Sequence, residues 1–232
     1  MKENKKTVSL IAYEKIKKKI LYNEVDFGQQ FLEDNFSSEL SISRTPVREA
    51  LIMLEKEGLI TRSQGRGFYI QRFSVKDVDD FYHFRNILET ASTELIISNI
   101  TKEDIDELHK VLEKVSTIIE KGHPAEAMTA GLQFHVRIIE ICQNDMIVRS
   151  LKNCYDKLIL VSWSYYQIES CIKSAKEHEE ILEVLETKDL DKLRMRTRQH
   201  LDSARKRTLD IFKVDTQRLY IMPELKQRAS FP

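Results

Sequence analysis

The stretch Ser41–Ile60 reads SISRTPVREALIMLEKEGLI. A helix start gathers partial positive charge from its aligned amides and favours anions. Here the start carries Arg44 and Arg48, hydroxyls at Ser43 and Thr45, and a proline at 46. Two guanidiniums at the positive end of a helix call for an anion from elsewhere. The chemistry open to this set is phosphate and base recognition. Guanidinium forks read guanine N7 and O6, and hydroxyls and helix amides take phosphate oxygens. The plainer alternative is an ordinary surface helix with solvated arginines.

The elements that would hold these groups decide between the two. Val47, Ala50, Leu51 and Leu54 fall at i, i+3, i+4 and i+7, which predicts a helix over 44–57 with one apolar face. Ser43 or Thr45 can cap it, Pro46 fits its first turn, and Gly58 can end it. Two helices are expected before it, near 8–22 and 33–40. The link between the second and third is about Ser41–Ser43, too short for an ordinary antiparallel hairpin. That is the sequence form of a helix-turn-helix. LITRS and FYIQR then flank Gln64–Gly67, a short β-hairpin with a glycine-rich tip that makes the motif winged. Arg66, between Gly65 and Gly67, is placed for a minor-groove or phosphate contact, with Gly67 letting the backbone come close. The opposite face of the third helix would then offer Ser43, Arg44, Thr45 and Arg48 to double-stranded DNA.

Bulk composition adds little to this. The 232 residues carry 37 Lys and Arg against 37 Asp and Glu, so net charge does not point to nucleic acid. The first 73 residues are slightly basic and the remainder slightly acidic. The length suits two small domains. Three cysteines without a CxxC pair favour free thiols over a disulfide framework. The N-terminus lacks the apolar region of a signal peptide, and no apolar run approaches a membrane span. A cytoplasmic protein is expected.

After Phe73 the pattern is helical throughout. Phe81, Phe84, Leu88, Ala91 and Leu95 step by three and four, which predicts an inward apolar face. Ile105, Leu108, Leu112, Val115 and Ile119 do the same behind a capping box at Thr101–Asp104. Further helices are expected near 124–142, 146–165, 171–187 and 189–212. The fold class is therefore mostly α: a winged helix-turn-helix over 1–73, an all-α bundle over 74–213, and a tail over 214–232.

SRTPVREAL, LEKEGLI and GRGFYI together resemble the winged-helix signature of the GntR family of bacterial transcription regulators, from about Tyr13 to Phe73. The second half resembles the all-helical, FCD-type effector domain of the FadR-like branch, with FRNILE at Phe84–Glu89, which includes Arg85, FH at Phe134–His135, EHEEIL around His178 and HL at His200. The resemblance implies a homodimer on a palindromic operator, regulated by a small carboxylate-type effector in the helical domain.

In many such effector domains a metal is held by three histidines and an aspartate four residues before the first. The histidines match as His135, His178 and His200. The sequence departs at Gly131, where the aspartate would stand. The resemblance thus implies a divalent metal, Zn²⁺ or Ni²⁺, short of its usual anionic ligand. The other reading is three pocket histidines that bind an organic acid without metal. Arg85 is the implied carboxylate partner of the effector, or else a partner of Glu89 one helical turn on. Cys142 reads as a core residue two turns after His135. A metal-dependent hydrolase would need a free general acid or base near the histidines. It would also leave the winged helix without a role, so an enzyme is not expected. A third reading makes the helical half a dimerisation module with no effector.

Overall fold

A computed structural model describes residues 2–22, 30, 32–63, 67–162 and 167–221. The chain divides into two compact units, one up to Arg72 and one from Phe73 to Ile221.

In the first unit α1 (Lys2–Leu21), α2 (Glu33–Leu40) and α3 (Arg44–Lys56) precede a hairpin of β1 (Ile60–Ser63) and β2 (Gly67–Ile70). Ala12, Ile16 and Ile20 recur every four residues along α1 and are buried, as are Val47, Ala50, Leu51 and Leu54 of α3. That repeat puts each set on one helix face, and the two faces pack together. Phe36 of α2 and Leu59, Ile60, Phe68 and Ile70 of the hairpin complete the core. Polar contacts fasten the α1–α3 edge: the Tyr13 hydroxyl donates to Glu57 at 2.7 Å, and Lys17 reaches the same carboxylate at 3.1 Å.

The turn between α2 and α3 is tight because Ser41 takes the left-handed conformation, φ 54°. The Ile42 N–H then reaches the Ser37 carbonyl at 3.1 Å, and the Ser37 hydroxyl returns a bond to the Ile42 carbonyl at 2.6 Å. Ser43 occupies the N-cap of α3 without a side-chain capping bond, and Thr45 lies inside the helix. A capping hydroxyl accepts from the second or third helical N–H, and the third residue here is Pro46, which has none. In the hairpin the antiparallel register pairs Ile60 with Ile70 and Ser63 with Gly67, whose φ of 78° suits glycine. Arg66 and Gly65 lie outside the described residues.

The second unit comprises α4 (Val75–Ala91), α5 (Thr93–Asn99), α6 (Lys102–Glu120), α7 (Pro124–Glu140), α8 (Asp145–Ser162), α9 (Ile168–Thr187) and α10 (Leu190–Ile221). Capping boxes begin α4 at Ser74 with Asp77 and α6 at Thr101 with Asp104. α6 packs on α7 and α9, α10 on α4 and α9, and α8 on α7 and α4. Cys142 is buried but lies past the end of α7, so it is not on the His135 face. α10 continues through Ile221, beyond residue 213.

α4 corrects one expectation. The apolar stepping predicts Phe81, Phe84, Leu88, Ala91 and Leu95 inward. Instead Val78, Tyr82, Arg85 and Glu89 are buried, while Phe84 is 39%, Ile87 68% and Leu95 41% exposed. The helix is turned so that a mixed face, carrying Arg85 and Glu89 beside Val78 and Tyr82, enters the bundle.

The core of the first unit gives a direct check. Leu54 is fully buried on α3, the helix that packs on α1 and β1. Leu54→Ala should lower stability by about 2–5 kcal/mol in chemical denaturation of the full chain. A loss well under about 1 kcal/mol would mean that the apolar face of α3 is not where it is drawn.

Candidate functional site

Ser43, Arg44, Thr45 and Arg48 are all exposed on the first turns of α3, opposite its buried stripe. Their guanidiniums are not idle. Arg44 Nε lies 2.5 Å from Asp34 Oδ1 and Arg48 Nε 2.8 Å from Glu33 Oε1, both in the first turn of α2. Those two carboxylates were not singled out by the sequence reading. Exposed pairs of this kind contribute only about 0–1 kcal/mol, so they hold the arginines outward without withholding them from a stronger anion. Gly67 is half-buried at the start of β2.

The second constellation lies inside the helical unit. His135 on α7, His178 on α9 and His200 on α10 are all buried. Their Nε2 atoms converge, with separations of 3.1, 3.1 and 3.3 Å. Helical spacing supplies the groups behind them. Arg85 and Glu89 share a face of α4 one turn apart, Ser174, Glu177 and His178 share one of α9, and His200 and Arg207 share one of α10.

Each of two imidazoles is gripped from its far side. His135 Nδ1 is 2.9 Å from Glu89 Oε2, and Glu89 Oε1 takes Arg85 Nε at 2.6 Å. His200 Nδ1 is 2.7 Å from Glu177 Oε2, and Arg207 closes on both oxygens of Glu177 at 2.7 Å. Arg207 also donates to the Ser174 hydroxyl at 2.9 Å. Arg85 lies over the rings of Tyr155 and Tyr82, at 5.1 and 5.5 Å, and its Nη2 has no hydrogen-bond partner. His178 Nδ1 is likewise unpartnered.

The electrostatics follow from burial and these pairs. Burial penalises the imidazolium of His135 more than Glu89 favours it, and its pKa falls to about 4. Burial, then the neighbouring histidines, push His178 well below the usual range, and burial also lowers His200 despite Glu177. Burial would raise Glu89, but Arg85 and His135 hold it well below the usual carboxylate range. Burial raises Glu177 too, yet bonds from Arg207 and His200 bring it down to about 2. At neutral pH the site therefore holds three neutral imidazoles and two ionised carboxylates.

That protonation state sets what the triad can do. A neutral imidazole has one N–H and one lone pair. His135 and His200 spend their N–H on carboxylates, so both point lone pairs at the centre. His178 can offer its single proton to one of them and not to both. Protons alone leave at least one pair of lone pairs opposed at close range; a cation at the centre satisfies all three. The separations approach the edge of about 3.3 Å expected for a tetrahedron of bonds near 2.0 Å around Zn²⁺. Among the described residues, these three form the group of potential ligands whose donor atoms lie within 4.8 Å of one another. The residues present fit a borderline divalent ion.

A cavity of about 50 Å³ adjoins the triad, lined by Arg85, Gly131, Met128, Ala175 and Ala204 among others. Gly131 sits one turn before His135, and a Cβ there would face His178 Cε1 at 3.5 Å. His83, His109 and His123 are exposed and stand apart from this site. Sequence alone gave Glu89 a role only as a partner for Arg85, included Glu177 only within the EHEEIL stretch, and assigned nothing to Arg207 or Ser174. The available signal was spacing: Ser174 stands four residues before His178, Glu177 beside it, and Arg207 seven after His200.

No helix is long and apolar enough to cross a membrane among the described residues. Residues 9–70 match the model of bacterial regulatory proteins of the gntR family, and residues 80–203 match that of the FCD domain. The HTH-type transcriptional regulator YdhC of Bacillus subtilis is 27% identical over 82% of this chain and 86% of its own. The gluconate operon transcriptional repressor of the same organism is 26% identical over 87% of this chain and 85% of its own. A solved structure of Escherichia coli McbR/YncC has the same fold, with TM-score 0.77 and 19% identity over 90% of this chain and 98% of that one. These relatives are transcriptional regulators and not enzymes. A DNA-binding winged helix joined to an FCD effector-binding domain makes this chain a member of the gntR family of bacterial transcriptional regulators.

Proposed function

We propose that the chain is a homodimeric regulator that grips a palindromic operator through α3 and the wing. In this reading a small carboxylate in the histidine pocket controls operator affinity, assisted by a divalent ion, Zn²⁺ or Ni²⁺. The convergence of three Nε2 atoms, two of them fixed by carboxylates behind, carries the metal part. His135, His178 and His200 would hold the ion, which would offer a Lewis-acidic anchor to the effector. The orientation of ligating imidazoles by outer carboxylates is what such sites require. Arg85, with a spare buried N–H on the same cavity, would take a carboxylate oxygen. A relative named for the gluconate operon accords with an organic acid as effector. A hydrolase is disfavoured because both nearby carboxylates, Glu89 and Glu177, already hold two partners each.

In the DNA-binding unit, Ser43 and Thr45 would take phosphates and Arg44 and Arg48 base edges or phosphates, with Arg66 and Gly67 in the wing. The arginines would exchange Asp34 and Glu33 for the operator. Two half-sites on a palindrome require two copies of α3. The uncovered stripe of α4 (Phe84, Ile87, Leu88, Ala91 and, past the helix break, Leu95) is the face we assign to the second copy.

Three measurements test this reading. Isothermal titration of Zn²⁺ and of Ni²⁺ into metal-stripped protein should show one site per chain, and His178→Ala should abolish it. If neither ion binds the parent chain, the histidines only line a pocket. Arg48→Ala should weaken operator binding by about 1–3 kcal/mol in anisotropy titration, with circular dichroism unchanged. Unaltered affinity for a true operator would remove Arg48 from the interface. Ile87→Glu should convert a dimer to a monomer by light scattering of the full chain. A dimer mass in that variant would put the interface on another face.

A further inference from the structure

The charges around the triad do not sum to what a dication needs. Arg85 is paired with Glu89 at 2.6 Å, and Arg207 with Glu177 through two contacts of 2.7 Å. Each pair is neutral in itself, and the three imidazoles are neutral. Both carboxylates face the Nδ1 sides of the rings, so neither adds an anionic donor at the Nε2 side. A divalent ion bound there would bring two uncompensated charges into a buried site. Burying charge without a counter-charge is costly. Hydroxide formed from a bound water would offset one of those charges, and an anion arriving with the ion would offset the other.

The place for it is visible. Gly131 lies mid-way along α7, where a glycine costs helix stability relative to alanine. It leaves the cavity wall open beside His178: the direction of its missing Cβ ends 3.5 Å from His178 Cε1, ordinary contact distance. The same cavity includes Arg85, whose Nη2 is buried and unpartnered. An opening beside neutral metal donors, next to an unsatisfied guanidinium N–H, fits one class of ligand. It is a small carboxylate, able to offer oxygen to the ion and to Arg85.

We propose that the divalent ion and a small carboxylate bind this pocket as a linked pair, each raising affinity for the other, because Gly131 leaves the histidine site without an anionic ligand of its own. This rests on the metal-binding reading above and goes further by making the ion and the acid a joint signal. Linkage is reciprocal, so the factor by which carboxylate tightens the ion equals that by which the ion tightens carboxylate. The residue that sets the linkage is Gly131. An aspartate there would supply the missing charge from the chain and remove the dependence.

The probes are Zn²⁺ with acetate, and Zn²⁺ with acetamide as a neutral molecule of the same size. Titrating Zn²⁺ into the metal-stripped full chain near neutral pH, acetate should lower Kd at least about fivefold relative to acetamide. In Gly131→Asp, Zn²⁺ should bind at least about tenfold tighter in acetamide, and the gain from acetate should shrink below about twofold. The unmodified chain gives an independent arm should that variant fold poorly. Acetate should raise the melting temperature when Zn²⁺ is present and leave it unmoved in EDTA. Equal Zn²⁺ affinity in acetate and acetamide would overturn the linkage and leave the metal site standing. Absence of Zn²⁺ binding in either solution would overturn the metal reading and the linkage with it.

Discussion

Two carboxylates gripping two imidazoles from behind fix the orientation of the histidine site, and the four helices that carry it must meet accordingly. Glu89 ties α4 to α7 through His135, and Glu177 ties α9 to α10 through His200 and Arg207. The bonds that choose the tautomer of each ring are thus the bonds that join the helices. Buried ion pairs give little net stability against apolar groups of similar volume, whereas removing one partner leaves an uncompensated charge. The consequence of these pairs is therefore mainly positional. They fix which nitrogen faces the centre, and they do so with both arginines and both carboxylates neutralised in place. His178 has no such grip on its Nδ1, which makes it the ring with the fewest restraints among the three.

At the other end of the chain the same economy of charge takes a weaker form. Arg44 and Arg48 are paired on the surface with Asp34 and Glu33, in high dielectric and open to salt. Such pairs orient long side chains that would otherwise sample many rotamers, and they yield to a better anion at small cost. The missing cap on α3 belongs to this picture as well. Because Pro46 removes one N–H that Ser43 could have served, the Ser43 hydroxyl stays exposed at the helix start.

Much of this was legible in the residues because helical periodicity and turn chemistry are local. The stripe Val47, Ala50, Leu51 and Leu54, the short Ser41–Ser43 link, the Thr101–Asp104 capping box and the presence of a short hairpin all follow from neighbours in sequence. The three histidines were marked by their register within a family pattern. What could not be read was set by contacts distant in sequence. Glu177 is one of many acidic residues on α9 until α10 brings His200 and Arg207 against it. Arg207 looks like any basic residue of a charged helix. α4 misled for a more instructive reason: apolar stepping identifies a face that avoids water, and a bundle interior is only one way to avoid it.

The reversal of α4 joins the two halves of the proposed mechanism. A helix that turns Arg85 and Glu89 inward must satisfy them there, and it does so through His135 and the aromatic rings. The same helix then presents Phe84, Ile87, Leu88 and Ala91 outward, an apolar stripe that water penalises and a second copy would cover. One rigid element thus carries the pocket's guanidinium on one side and the proposed subunit contact on the other. A ligand can shift an equilibrium only through contacts that differ between its two states. Here such contacts would fall on Arg85, and any rotation of α4 that improved them would move the stripe by the same angle. A regulator with its pocket and its interface on separate helices would need a chain of intermediaries. On α4 the two are less than one turn apart.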